Sequence, residues 1–154
     1  MSNNPPFDLP RTQRWFAVEL NNRAWDLVEA AALNDDQVDR MIHAAHAACY
    51  FWTESGNLLN RLRAENLLAT AYARAGRGEP AVYHAEKCLR LSIEAGETQS
   101  DFDRAVAMGC AQLAYRVAGN LKKADEFRTQ ALAAAGKLSD PGDKSVFDRL
   151  YGVT

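Results

Sequence analysis

Between Arg11 and Lys137 the apolar residues recur three and four apart, short clusters of Asn, Asp, Gly and Ser interrupt them, and no sustained two-residue alternation occurs. That rhythm predicts helices and no strands. Helices are expected over 11–33, from a cap at Asp35 or Asp36 to about 54, over 57–75, from about Pro80 to 95, from a cap at Ser100 or Asp101 to 118, and over 121–137. Asp and Ser suit the caps because their side-chain oxygens accept from the open N–H groups of a first turn. Pro80 suits a first turn because its missing N–H would have no partner there. Ser55, Gly56 and Asn57 form one break, and Gly76 and Gly119 end the third and fifth helices. After Pro141 and Gly142 a last short helix, 144–151, sets Val146, Phe147, Leu150 and Tyr151 on one stripe.

The turns inside the helix pairs begin at Asn34, Arg77 and Asn120, each 43 residues after the one before. In phase with them Tyr72 recurs as Tyr115, Gly76 as Gly119, Ala81 as Ala124 and Leu89 as Leu132. A self-similar period built of two helices is the signature of an α-solenoid. The expected architecture is therefore all-α, a right-handed α-solenoid of three antiparallel helix pairs plus a C-terminal capping helix. The expected layout is an extended N-terminal segment at 1–10, a repeat domain at 11–138 and the cap at 139–154.

Leu68, Tyr72, Gly76, Ala81 and Cys88, repeated as Ala111, Tyr115, Gly119, Ala124 and Ala131, stand at the offsets of the tetratricopeptide repeat, and the chain resembles a long-helix variant of that family. The segments 15–22 and 43–46 are also similar to a group of uncharacterised bacterial repeat proteins, whose members carry histidine where this chain has Phe51. The resemblance implies that the first helix of each pair lines a concave, peptide-binding face. Arg23, Arg63, Asn66, Thr70, Arg74 and Arg116 then sit at outward positions of those helices. Such a face suits an extended peptide, held by Asn66 through its backbone and by arginines through carboxylates. The expected function is a non-enzymatic protein- or peptide-interaction module.

Composition narrows the field. Lys and Arg total 18 against 20 Asp and Glu, a net charge of −2, so no global positive field gathers phosphates and a nucleic-acid partner is not expected. Cys49, Cys88 and Cys110 form no CxxC pair and read as small buried residues of a reducing compartment. The N-terminus lacks a basic start followed by an apolar run, and no stretch approaches the roughly 18 apolar residues of a membrane span. A cytoplasmic location and no membrane partner are the expectations. No Ser-His-Asp or Cys-His arrangement is defensible, so no catalytic residue is assigned.

Superposing the three pairs at the 43-residue period makes each copy a control for the others. His46 falls where the other copies carry Leu89 and Leu132, and Glu19 where they carry Leu62 and Ala105. Both are therefore expected inward and in need of partners. Counting from the turns brings Glu19, Asn22, His43, His46, Tyr50 and Glu65 together. Two readings stay open: a satisfied buried network, or a divalent transition-metal or small-ligand site on Glu19, His43, His46 and Glu65. His84 aligns with Met41 and Phe127 and reads as a packed core histidine.

A second departure is aromatic. Phe51 aligns with Glu94 and Lys137, a solvent-facing position, and Tyr50, Trp52, Trp15 and Phe16 lie near it. Trp15, Phe16, Phe51 and Trp52 are the expected contact surface, with homodimerisation the expected contact, unless Phe7 and Leu9 fold back to cover it. Trp25 and Trp52 are assigned mainly to packing, as large aromatics at helical spacing.

Overall fold

The computed structural model describes residues 4–152 and contains seven α-helices and one short 3-10 turn among them, with no strand. They are α1 (Leu9–Val28), α2 (Asp35–Ser55), α3 (Leu58–Arg74), α4 (Gly78–Ala95), α5 (Asp101–Val117), α6 (Leu121–Ala135) and α7 (Pro141–Tyr151), with the 3-10 turn at Gly96–Thr98. The fold is all-α. Residues 1–3 and 153–154 of the expected terminal segments lie outside the described residues.

Local chemistry sets most boundaries. Asn34, Asn57 and Ser100 each accept from the backbone N–H three residues on, and Gln37, Asn60 and Asp103 answer from that third position. These are reciprocal capping boxes. Asp8 caps α1 and Pro10 falls in its first turn, so the helix starts before Arg11 and the extended segment is shorter than expected. Gly76 and Gly119 have φ of 71° and 81°, and the next N–H groups, of Arg77 and Asn120, reach back to Tyr72 O and Tyr115 O at 2.9 Å. Two turns 43 residues apart thus close the same way.

The first turn is different, and it corrects the alignment of helix 1. It spans residues 29–34, whereas its counterparts span only 75–77 and 118–120. It has no glycine. Arg74 donates instead to the carbonyls of Ala30 and Ala31 at the open end of α1. Burial in α1 matches α3 at 45 rather than 43 residues, with Ala17, Ala24 and Val28 answering to Leu62, Ala69 and Ala73, so α1 is shifted by two residues and Asn21 and Trp25 take the places of Asn66 and Thr70.

α1 packs chiefly on α2, α3 on α4 and α5 on α6, and α2–α3 and α4–α5 join successive pairs. The core is rich in alanine, with Ala45, Ala69, Ala85, Ala107 and Ala111 fully buried. Small side chains let neighbouring helices approach closely. In the shifted register Glu19, Asn22, Arg23 and Asp26 of α1 occupy the stripe that α3 fills with Ala64, Leu67, Leu68 and Ala71. α3 buries that stripe against the preceding pair. Among the described residues α1 packs on α2 and α3, and its polar stripe meets no further helix.

Candidate functional site

The first helices of successive pairs touch one another, α1 on α3 and α3 on α5, whereas α2–α4 and α4–α6 make at most marginal contact. α1, α3 and α5 therefore line the inner face. That face is occupied. α7 leaves α6, with which it makes no extensive contact, and lies against α5. Phe147 and Tyr151, four residues apart on its buried side, are almost wholly enclosed.

Tyr151 is received by three inner-face residues. Thr70 Oγ1 lies 2.9 Å from the phenol oxygen, and Asn66 Nδ2 donates to that oxygen over 3.1 Å and to Val106 O over 3.1 Å. The aromatic ring lies over Gly109: a Cβ built there would stand 2.6 Å from Tyr151 Cγ. Burial, more than any neighbour, holds the Tyr151 phenol in its protonated form. Outside the groove Arg149 Nε donates to Glu29 Oε2 at 2.9 Å. Clefts of about 390 Å³ and about 400 Å³ remain on the inner face, one beside Leu150 and Arg74, the other walled by Trp25, Trp52 and Phe102.

The six residues expected to bind peptide fall into four groups. Asn66 and Thr70 face inward but are buried beneath Tyr151. Arg63 makes a bidentate pair with the buried Asp103, at 2.8 and 3.0 Å, and Arg74 ties down the first turn. Burial pushes the Asp103 carboxyl up, but hydrogen bonds from Arg63 and Ser100 prevail and hold it below its usual range. Arg23 sits on the end stripe beside Glu19, as the two-residue shift requires. Of the six, Arg116 alone is exposed with no side-chain hydrogen bond or ion pair among the described residues. An arginine-lined surface for carboxylates is therefore not what the inner face presents.

The metal candidates do not converge. Glu19, its side chain 37% exposed, pairs with Arg23 Nε at 2.9 Å; His43 is exposed beside the α1–α2 cleft; and His46 Nε2 stands 2.7 Å from the Tyr72 hydroxyl. Glu65 is bonded to His84 and Lys87, and of the other three only His46 approaches that group, through ring contacts with His84 and Tyr72. Among the described residues no group of three or more His, Cys, Asp or Glu side chains could hold a metal ion. The expectation of an inward Glu19 came from the 43-residue alignment, which the long first turn breaks. His46 is likewise exposed rather than inward, as is Leu132, its equivalent in the third pair.

What the middle pair does contain is a cluster around Glu65. His84 Nδ1–H donates to Oε2 at 2.7 Å, Lys87 Nζ to Oε1 at 2.7 Å, and the Cys49 thiol approaches Oε1 at 3.8 Å. Burial pushes the Glu65 carboxyl up, but the hydrogen bonds from His84 and Lys87 outweigh it and hold it low. The same burial drives the Cys49 thiol to about 11, which keeps it protonated and unreactive. His84 stacks on Tyr72 at 5.6 Å with the rings 5° from parallel; in the next pair Phe127 stacks on Tyr115 at 5.6 Å and 2°. His84 thus keeps the packing role of Phe127 and adds a donor for Glu65, whose equivalent in the next pair is Met108. Burial and the neighbouring His84 lower the basicity of His46 at the edge of this cluster.

At the far end of α1 the aromatic patch is open. Trp15 is 57% and Tyr50 63% exposed, Phe16 stacks on Phe51 at 5.5 Å, and Phe7 and Leu9 are themselves exposed rather than folded over it. Trp52 takes its packing role and not its place in the contact surface: it is buried among Ala17, Ala48 and Ala64.

Sequence reasoning missed Tyr151, Gly109 and Trp25 as inner-face residues. One signal was available. At the corrected register Asn21, Asn66 and Gly109 are equivalent, and a glycine inside a helix marks a close approach by something else. No helix among the described residues is long and apolar enough to cross a membrane. No family model, curated protein or solved structure matches the chain.

Proposed function

We propose that this chain is a non-enzymatic protein-interaction module, a right-handed tetratricopeptide-like solenoid of three antiparallel pairs whose inner face receives an amphipathic helix. One observation carries the reading: α7 already lies there, with Phe147 and Tyr151 buried and Tyr151 held by Asn66 and Thr70 of α3 over Gly109 of α5. A helix laid in a groove and anchored at i and i+4 is a recurrent mode of peptide recognition. In the resting chain the occupant is intramolecular, so a partner helix competes with α7 for one site. The test is fluorescence anisotropy of a labelled peptide with the sequence of residues 139–152. It should bind the Phe147→Ala/Tyr151→Ala chain saturably and the unaltered chain far more weakly, because tethered α7 acts at an effective concentration of order millimolar. Equal or absent binding to both would remove the groove from the account.

A second reading concerns the aromatic patch, where Trp15, Phe16, Tyr50 and Phe51 form an open cluster on the same end of the array. A second copy of the chain is its proposed cover. Sedimentation equilibrium should show a dimer that Trp15→Ser/Phe16→Ser abolishes; a monomer at high concentration would discard it.

A further inference from the structure

We infer that the inner groove selects its helix by a tyrosine anchor: it takes a helix with phenylalanine at i, a basic residue at i+2 and an unmodified tyrosine at i+4. The inference rests on the helix-accepting groove proposed above and names what that groove reads.

The phenol oxygen accepts from Asn66, and its hydrogen has two acceptors in reach, Thr70 Oγ1 and Asn66 Oδ1. Thr70 Oγ1–H points at the carbonyl of Asn66 over 2.8 Å, so the lone pairs of Thr70 Oγ1 face the Tyr151 hydroxyl 2.9 Å away. Asn66 Nδ2 gives one hydrogen to Val106 O and the other to the phenol oxygen. Asn66 Oδ1 lies 3.2 Å from the same hydroxyl. Asn66 and Thr70 are themselves buried, so a phenylalanine in this position would leave an amide N–H and a hydroxyl lone pair dry and unpaired. A site built to bond a hydroxyl rejects the analogue that lacks it far more strongly than an apolar pocket rejects a methylene. The site is also neutral. The phenol's hydrogen-bond partners are Asn66 and Thr70, with no cation among them, so a phosphorylated tyrosine would bring a dianion into an enclosed site that cannot compensate it.

Two further features define the rest of the pattern. Gly109 lets the ring rest against the α5 backbone, which only a flat side chain without branching at Cβ can exploit. Glu29 meets Arg149, two residues after Phe147, at the rim. Its contribution is minor, since both groups are partly solvated.

The experiment uses three labelled peptides with the sequence of residues 139–152: one unaltered, one with Tyr151→Phe and one with Tyr151 phosphorylated. Each is titrated against full-length Phe147→Ala/Tyr151→Ala protein. A second route preserves the native groove: a protease site inserted within 136–140 of the otherwise unaltered chain is cut after folding, and exchange of the released helix for each peptide is followed. The expected result is a loss of roughly 10- to 100-fold on Tyr151→Phe and no measurable binding of the phosphopeptide. Equal binding of the tyrosine and phenylalanine peptides, or binding of the phosphopeptide, overturns the tyrosine inference while leaving a helix-accepting groove. Failure of every peptide by both routes overturns the groove reading, and this inference with it.

Discussion

Gly109→Ala separates two effects of opposite sign. Gly109 lies inside α5, where alanine is intrinsically the better helix former by about 0.5–1 kcal/mol, so propensity alone makes the variant more stable. The structure argues the reverse. The new Cβ would stand 2.6 Å from Tyr151 Cγ and 2.9 Å from Tyr151 Cβ, well inside the roughly 3.5–4.0 Å of an ordinary carbon contact. Tyr151 cannot step aside within an enclosed site, so the strain must displace α7 or distort α5. Overpacking of this kind costs about 1–3 kcal/mol, which exceeds the propensity gain over most of its range. The net expectation is a loss of about 1–2 kcal/mol in urea unfolding, with faster proteolysis between α6 and α7. In a Tyr151→Ala background the clash is gone and the same change should become neutral or stabilising. If Gly109→Ala stabilises the unaltered chain, α7 does not seat Tyr151 on α5 and the description of the groove is wrong.

Three other outcomes follow from the geometry. His84→Phe installs the residue that Phe127 supplies in the third pair but removes a donor from buried Glu65, so urea unfolding should show a loss of about 1–3 kcal/mol. Adding Glu65→Met, after Met108, should recover much of it, and equal losses from the single and double changes would deny the coupling. Glu65 and Asp103 have carboxyl pKa values held below their unfolded ones of about 4.3 and 3.9, and lowered His46 acts in the same direction below about 6.5. Their stabilisation is complete above those unfolded values and is lost as pH falls through the folded ones. Denaturation midpoints should therefore decline on acidification, less steeply below pH 5 in Glu65→Gln; an unchanged slope would contradict the assigned direction. Glu19→Ala should change stability by no more than about 0.5 kcal/mol, because its pair with Arg23 is exposed, and a loss above about 2 kcal/mol would restore it to the interior.

Much of the architecture was legible because it depends on local chemistry. The glycines at 76 and 119 and the cap at Ser100 act within a few residues of themselves, and the helices they bound follow from them. The first turn escaped because Arg74, distant in sequence, replaces a glycine there, and nothing near residue 30 announces it. That single insertion moved Glu19 from an expected core position to a solvated end stripe and Arg23 off the inner face. The site was harder to read because it is made by return of the chain. Asn66 and Tyr151 are 85 residues apart, and whether an outward asparagine meets solvent or a helix depends on where the last segment lies. Gly109 held the hint, as the one glycine in a position that the other pairs give to asparagine.

The central claim, that α7 holds the inner groove and yields it to a helix in trans, is tested most directly by nuclear Overhauser contacts between the Tyr151 ring and the Gly109 α-hydrogens in the unaltered, isotope-labelled chain. The contacts should be present in the free protein. On saturation with an unlabelled peptide of residues 139–152 they should weaken and be replaced by intermolecular contacts from the peptide tyrosine to Gly109. Absence of the contacts in the free chain, or binding of the peptide that leaves them undiminished, would contradict the account.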